Sequence, residues 1–529
     1  MKWLSLMICL ALVVVLDYGG RVAATAQDPL TLQENRGKQI YVNGASSSGK
    51  EIRAYLGDSS MEVPGSTVAC ANCHGLDGQG KPEAGVTPSN ITWEALTKPY
   101  GVTHSDGRKH PPYTARGLEL AITRGTDPAG NKLLGVMPRY VMTRDDLADL
   151  VLYLKRLGTD RDPGISENKI VIGTAGPTHG ALAEMGQAIK AVTIAFFDEL
   201  NSQGGVFNRR FEVRFLETAE TPAATRANFE RLIKEERVFA LTGAFVAGAE
   251  KEVIPLMAEQ GVPLIGPLTL YPQTEFPLNR QVFYLLSGTD EQARAMIAFI
   301  AKKPEIREQQ IAVVFPGTEI NSKVVAAIKE RSKKDGLREP QSYEYEVGRF
   351  NAAQTIGQLK QRSPGLVFLL ANSTDTMSFM NEAEKVSWFP TIFLPTANAA
   401  KEIFGAPAGF DGKLFFSFPT SPADQSAEGI REFRVLAEKY KLPTTHLAVQ
   451  ISTYSSAKIL VEAMKRVGKD LSREKLIEAL DGLYEYKTGL TPAITYGPNR
   501  RIGALGAYLV TVDLKDKKLS PASGWINLN

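Results

Sequence analysis

Apolar positions along the 529-residue chain fall into three regimes. Residues 3–16 are an almost unbroken apolar run behind Met1-Lys2, too short to span a bilayer comfortably. Residues 35–157 are patterned as helices at both ends. A short helical pattern opens at 37–41, and across 146–156 Leu147, Leu150, Val151 and Leu154 recur at i, i+3, i+4 and i+7, one apolar stripe. From residue 169 onward short buried runs take over, at 169–174, 211–216, 238–242, 263–266, 311–315, 366–370 and 391–394. Helical stretches separate them: 181–201 is closed by Gly204-Gly205, and another is opened by Thr221-Pro222, a cap followed by proline at the first helical position. Strands alternating with helices predict parallel sheets covered on both faces. About 360 residues are too many for one such sheet, so two lobes are expected.

The apolar start ends in Ala24-Thr25-Ala26, a small-x-small site, which predicts a signal peptide over 1–26 cut near Gln27 and an exported, periplasmic bacterial protein. No membrane span is expected after that cut. Residues 158–168 are polar with Pro and Gly and read as a linker between a domain at 35–157 and a second one at 169–529. Hydrophobic content of 43% and charged content of 22% are ordinary for a globular chain. The net charge of +3 is too small and dispersed to argue for nucleic acid, and the basic cluster 329–334 reads as a solvated helix face.

Chemistry concentrates in Cys70-Ala71-Asn72-Cys73-His74. On a helical turn, residues three and four apart share a face, so two thiols can bond one porphyrin's vinyl groups while the imidazole meets its iron, the attachment pattern of haem c. A structural zinc site needs four protein ligands, and no second cysteine pair is present. A redox dithiol would be expected beside a β-α-β pattern. Of the three cysteines, Cys9 would leave with the signal peptide, so no structural disulfide is available.

With a helix at each end and this motif between, residues 35–157 resemble the class I cytochrome c fold, all-α, with an insertion over 45–69. The resemblance implies Met137, of the pair Met137-Pro138, as the second axial ligand, with Met61, Met142, His104 and His110 as competitors. It also implies that the Pro88 carbonyl accepts the N–H of His74, which would orient the ring. Trp93, Tyr100 and Tyr113 are candidates to pack on the porphyrin or to serve as ordinary core aromatics. His/Met ligation occupies both axial sites, which suits single-electron transfer to redox partner proteins.

The second region carries Ile172-Gly-Thr-Ala-Gly-Pro-Thr-His-Gly180, Asn201-Ser-Gln-Gly-Gly205, Leu241-Thr-Gly243 and Gly261-Val-Pro-Leu-Ile-Gly-Pro267 in an order that resembles type I periplasmic binding proteins of the branched-chain amino-acid class. The resemblance implies two α/β lobes, about 169–287 with 421–489 and 290–418 with 493–529. Chain crossings would fall near 287–290, 418–421 and 489–493, with a small-molecule ligand in the cleft between the lobes. By position the cleft candidates are Phe245, Ala247, Gly248 and Ala249 after the third strand, Leu268, Thr269, Leu270 and Tyr271 after the fourth, and Asn398 in the second lobe. Ala247, Gly248 and Ala249 leave only backbone donors where such receptors hold a carboxylate, and Ala397 stands where an acidic residue would meet an ammonium. The ligand is therefore expected to be apolar or aromatic and not a branched-chain amino acid. His179 and Met185 lie near the same cleft, as a loop histidine and a core or lining methionine.

Three function classes follow. The favoured one is a monohaem electron carrier, not an enzyme, whose fused receptor couples ligand binding to electron transfer. A second is a solute receptor for an ABC permease in which the haem is regulatory or incidental. A third, an enzyme oxidising the bound molecule, lacks an evident base or second redox centre in the cleft.

Overall fold

The computed structural model describes residues 30–528 apart from 58–60, 81, 83–86, 105–106 and 396–400. The expected signal segment and Asn398 lie outside the described residues. Two compact units meet between Asp160 and Arg161, inside the polar stretch 158–168.

The N-terminal unit runs α1 (Leu32–Asn43), β1 (Arg53–Leu56), β2 (Met61–Pro64), α2 (Cys70–His74), α3 (Trp93–Leu96), β3 (Val102–Thr103), β4 (Lys109–His110), α4 (Ala115–Arg124), β5 (Arg139–Val141) and α5 (Arg144–Arg156). A capping box starts α1: the Glu34 N–H donates to Thr31 Oγ1 and the Thr31 N–H to the Glu34 carboxylate. Asp145 and Asp146 in the first turn of α5, with Lys155 and Arg156 in its last, match the helix dipole. The two helices cross with backbones in contact at Gly37, where a Cβ would lie 2.0 Å from the Asp149 carbonyl oxygen. Arg36 to Asp149, at 2.6 Å, fastens the same crossing.

The insertion 45–69 acquires a role. It folds into the β1–β2 hairpin, and β1 pairs antiparallel with β5, giving a three-stranded sheet in the order β2-β1-β5. Gly57 N–H donates to the Gly135 carbonyl at 3.1 Å, so the hairpin flanks the loop that carries Met137.

The second unit comprises β6 (Lys169–Gly176), α6 (Ala183–Ser202), β7 (Arg210–Glu217), α7 (Pro222–Lys234), β8 (Ala240–Thr242), α8 (Glu250–Gln260), β9 (Leu264–Ile265), β10 (Val282–Leu286), α9 (Thr289–Ala301), α10 (Pro304–Arg307), β11 (Ile311–Pro316), α11 (Glu319–Lys334), β12 (Gln341–Tyr345), α12 (Ala352–Lys360), β13 (Leu366–Leu369), α13 (Ser373–Lys385), β14 (Thr391–Leu394), β15 (Leu414–Phe418), α14 (Ala427–Tyr440), α15 (Leu447–Val467), α16 (Arg473–Asp481), β16 (Ile502–Ala504), β17 (Gly506–Asp513), β18 (Lys518–Pro521) and β19 (Ile526–Asn527). Lobe 1 holds a parallel sheet in the order β16-β10-β9-β8-β6-β7. Lobe 2 holds β12-β11-β13-β14-β15 in parallel, continued by antiparallel β17 and β18. Successive side chains of a strand point to opposite faces. Ile170 and Ile172 accordingly join a core with Phe197 and Ile459, while Val171 joins one with Phe229 and Val253. Each sheet is thus buried on both sides, which is why its strands read as apolar runs.

The third crossing between lobes corrects the expectation of 489–493. Ile494 and Tyr496 are buried in the core of lobe 1, the Tyr496 hydroxyl donates to the Tyr284 carbonyl at 3.1 Å, and β16 pairs with β10. The chain changes lobe at Leu505 instead. Ser287 Oγ donates to the Ala504 carbonyl (3.0 Å) and accepts the Gly506 N–H (2.8 Å), tying the first crossing to the third. Ser417 at the second crossing donates to Gln292 at 3.0 Å, and Gln292 donates to the Ser287 carbonyl at 3.3 Å, so one side-chain network links all three.

Candidate functional site

Helix α2 is a single turn that carries Cys70, Cys73 and His74. Gly75, at φ 75°, ends it by donating its N–H to the Ala71 carbonyl. His74 is buried, and its Nδ1 lies 2.9 Å from the Ser89 carbonyl oxygen. A carbonyl only accepts, so Nδ1 carries the proton and Nε2 keeps its lone pair. Burial disfavours the imidazolium and holds the pKa below the usual histidine value. The acceptor is Ser89 and not Pro88, as the sequence led one to expect. The Pro88 carbonyl turns toward Gly80, whose Cβ would stand 2.2 Å from it.

Cys70 and Cys73 are free thiols. Burial pushes the Cys70 thiol up to about 11, the opposite of the depressed value a redox dithiol needs. Among the described residues no group of three or more His, Cys, Asp or Glu side chains is arranged to hold a metal ion.

Two buried tyrosines brace this turn from either side. The Tyr140 hydroxyl donates to the Val68 carbonyl (2.5 Å), just before Cys70, and the Tyr41 hydroxyl donates to the Gly75 carbonyl (2.6 Å), just after His74. The chain signals Tyr140 only by its closeness to Met137, and Tyr41 only by its place in α1. Met137 lies between α4 and β5; its N–H donates to the Leu134 carbonyl (3.0 Å) and its carbonyl accepts from Arg139. Its side chain packs against the apolar cluster that Cys70, Ala71, Trp93 and Met142 also border.

Among the competitors, Met61 is exposed, and His104 and His110 face each other with 3.0 Å between their Nε2 atoms. Tyr113 is buried edge-on to His110. Tyr100 is 83% exposed, so it does not join the apolar cluster in which a porphyrin face would be packed. An N–H-anchored imidazole with a free Nε2 and two free thiols on one turn fit a covalently attached haem.

In the second unit, β8 and β9 end in the loops 243–249 and 266–271, bridged at Phe245 and Leu268. These are carboxyl ends of parallel strands, where open α/β sheets bind ligands. Ala247 and Gly248 are exposed, Ala249 is buried, Phe245, Leu268 and Tyr271 are half-buried, and Leu270 is exposed. Thr269 is not free to meet a ligand as expected. Its hydroxyl donates to Glu250 Oε1 at 2.5 Å and accepts the Tyr271 N–H at 2.9 Å. The Gly248 N–H, one of the backbone donors thought to remain open, donates to Glu250 Oε2 at 2.9 Å. Glu250, which the sequence reading overlooked, is thus the hub of this loop pair; the one signal the chain carries for it is an acidic residue in the first turn of a helix.

His179 is exposed and bonded to Glu217 and Thr178, and Met185 is half-buried. Across the lobes Lys251 pairs with Glu319, and Lys323 with Glu275 at 2.7 Å.

Family models match a cytochrome c domain over residues 62–158 and a periplasmic binding protein over residues 169–518. A curated amino acid binding protein of Pseudomonas aeruginosa is 23% identical over 171 residues, 32% of this chain and 45% of that protein. Among solved structures, a branched chain amino acid ABC transporter from Thermus thermophilus with bound valine overlays with a TM-score of 0.56 at 17% identity, covering 69% of this chain and 97% of that one. A fatty acid ABC transporter substrate-binding protein from Thermomonospora curvata overlays at 0.54 and 16% identity, covering 69% and 94%. Likeness at this identity fixes the fold and leaves the ligand open. With two thirds of its length matched, the chain belongs to the periplasmic binding protein family and carries a cytochrome c domain ahead of that module.

Proposed function

We propose that this chain is an exported electron-transfer protein that carries one haem c, attached at Cys70 and Cys73 with His74 and Met137 as axial ligands, and that its fused receptor tunes electron transfer when a small molecule occupies the cleft. The observation that carries the reading is the α2 turn itself. It has two unpaired thiols and one imidazole whose Nδ1–H is held by Ser89, in a chain continuous with a two-lobed receptor. When bound, the haem supplies a single-electron redox centre.

What the protein contributes is specific. Ser89 fixes the His74 tautomer and ring orientation, Tyr41 and Tyr140 hold the ends of the turn, and the β1–β5 pairing holds the segment just after Met137. The linked crossings at Ser287, Gln292, Ser417 and Gly506 supply the hinge about which lobes can close. Ligand binding to one lobe arrangement would shift the population of the other.

The test is to purify the exported protein, extract it with acidified organic solvent, and measure its reduction potential and electron-transfer rate with and without cleft ligands found by calorimetric screening. Retained pigment and a ligand-dependent potential or rate are the expected result. Pigment that extracts freely ends the haem assignment, and a potential and rate indifferent to occupancy end the coupling. The two structural neighbours, a fatty acid and a branched chain amino acid ABC transporter protein, favour a second reading, solute delivery to an ABC permease. That reading predicts ligand affinity independent of haem oxidation state.

A further inference from the structure

A parallel sheet that ends in a helix N-terminus is a ready seat for an anion, because unpaired N–H groups and the helix dipole converge there. In lobe 1 that seat lies between the β8–α8 loop and the loop after β9, and it is filled from within the chain. Glu250, the first residue of the eleven-residue α8, is 7% exposed. Its Oε2 accepts the Gly248 N–H at 2.9 Å, and its Oε1 accepts the Thr269 hydroxyl at 2.5 Å. Thr269 Oγ1 in turn accepts the Tyr271 N–H at 2.9 Å, so Tyr271, Thr269, Glu250 and Gly248 form one hydrogen-bonded chain with the carboxylate as its acceptor.

We infer that Glu250 stands in for a ligand carboxylate, so that lobe 1 receives an uncharged group and the cleft selects neutral molecules with an apolar or aromatic body over carboxylates, α-amino acids included. This rests on the reading of the cleft as a ligand site. Two consequences of the geometry support it. The donors that would hold an incoming carboxylate already have an acceptor, and a second carboxylate brought to the same loops would face the Glu250 charge in a poorly solvated place. The nearby Lys251 does not offset this, since it is already paired across the lobes with Glu319. What the two loops leave for a ligand is apolar: Phe245, Leu268, Leu270 and the ring of Tyr271, with Leu270 44% exposed.

The test uses full-length, haem-loaded protein and calorimetry. Wild type is titrated with matched pairs on one carbon skeleton, benzyl alcohol against benzoate and 3-methylbutanol against 3-methylbutanoate, with leucine set against the same alcohol, and its melting is followed with and without acetate at constant ionic strength. In wild type each carboxylate is expected to bind at least tenfold more weakly than its neutral or alcohol partner, and acetate is expected to leave the melting of the second unit unchanged. In Glu250→Ala, acetate should raise that melting temperature saturably by filling the vacated seat, and the preference for benzyl alcohol over benzoate should collapse. Glu250→Gln, which keeps size and one acceptor oxygen while removing the charge, covers the case in which the alanine variant does not fold; it should narrow the benzyl alcohol to benzoate ratio in the same sense.

Wild type binding leucine or benzoate as tightly as its partner overturns the inference, as does a folded Glu250→Ala indifferent to acetate. If no member of any pair binds wild type while acetate still rescues Glu250→Ala, the filled seat stands and the receptor reading of the cleft is what fails.

Discussion

The two units treat their polar groups in opposite ways. In the α2 turn the chain anchors one imidazole nitrogen on Ser89 and leaves the other with its lone pair, beside two thiols that are not joined to each other. At the strand ends of lobe 1 the donors that could meet a ligand converge on Glu250. A place built to receive a metal centre keeps its donors open and fixes their direction from behind. A place whose donors are satisfied internally recognises its ligand by shape and apolar contact, because any further buried polar group would go unpaired. On the proposed readings, the first unit is therefore specific through a few atoms, and the cleft through its walls.

The sharpest way to break this contrast is to remove those few atoms. Cys70→Ala with Cys73→Ala is expected to abolish covalent pigment altogether, so that acidified organic solvent extracts all colour, while the melting of the second unit stays in place. Pigment retained by the double variant would remove the basis for haem attachment at α2. Gly37→Leu comes next. Its Cβ would stand 2.0 Å from the Asp149 carbonyl oxygen and 2.6 Å from the carbonyl carbon, and backbone cannot step aside. Helices α1 and α5 must part, a loss at or above the upper end of the about 1–3 kcal/mol typical of overpacked cores. Calorimetry should show the first unit melting earlier and the second unmoved; a shared shift would mean that the units do not unfold separately.

How much of this was legible in the chain follows the same division. The turn carrying Cys70, Cys73 and His74 was readable because residues three and four apart share one helical face, a local matter of spacing. The strands at Ile311 and Leu366 were readable because burial on both faces demands continuous apolar residues. Contacts set by distant segments were not. Ser89 displaces Pro88 as acceptor because Gly80 receives the Pro88 carbonyl. The insertion makes sense only when Ala54 is paired with Tyr140, and Glu250 only when Thr269 arrives from the next loop. The third crossing was misplaced because Ile494 and Tyr496 are apolar and suit either lobe. What assigns them is β16 lying beside β10.

Glu291 sharpens the comparison from the receptor side. It sits at the first crossing, 5% exposed, with Oε2 accepting the Gly288 N–H at 3.0 Å. Burial first, then the neighbouring Asp290, pushes its carboxyl from 4.5 up to about 7. Between those values the folded state binds the proton and the unfolded state does not. Stability from this group is therefore fully present below about pH 4.5 and falls as pH rises toward 7. At 1.36 kcal/mol per pKa unit the loss approaches about 3 kcal/mol. Glu291→Gln should remove that decline, leaving the second unit more stable than wild type at pH 8 by up to this amount, as read from denaturant midpoints across pH. Parallel pH profiles for the two proteins would show that Glu291 titrates normally.

The smallest effect tests the brace around α2. Tyr140 is buried, and its hydroxyl reaches the Val68 carbonyl at 2.5 Å, the residue before the short lead into Cys70. Tyr140→Phe keeps the ring and its packing but leaves the Val68 carbonyl without that donor, a loss of about 1–2 kcal/mol for a part-buried acceptor. The expected result is a modest fall in the melting temperature of the first unit with covalent pigment retained. Tyr41→Phe, which removes the donor to Gly75 at the other end of the turn, should act alike. Because the two hydroxyls hold opposite ends of one five-residue helix, their losses should be non-additive in the double variant, since a turn released at one end no longer transmits the restraint at the other. Strict additivity would mean that each tyrosine stabilises only its own carbonyl, and that the turn is held by the fold around it instead of by this pair.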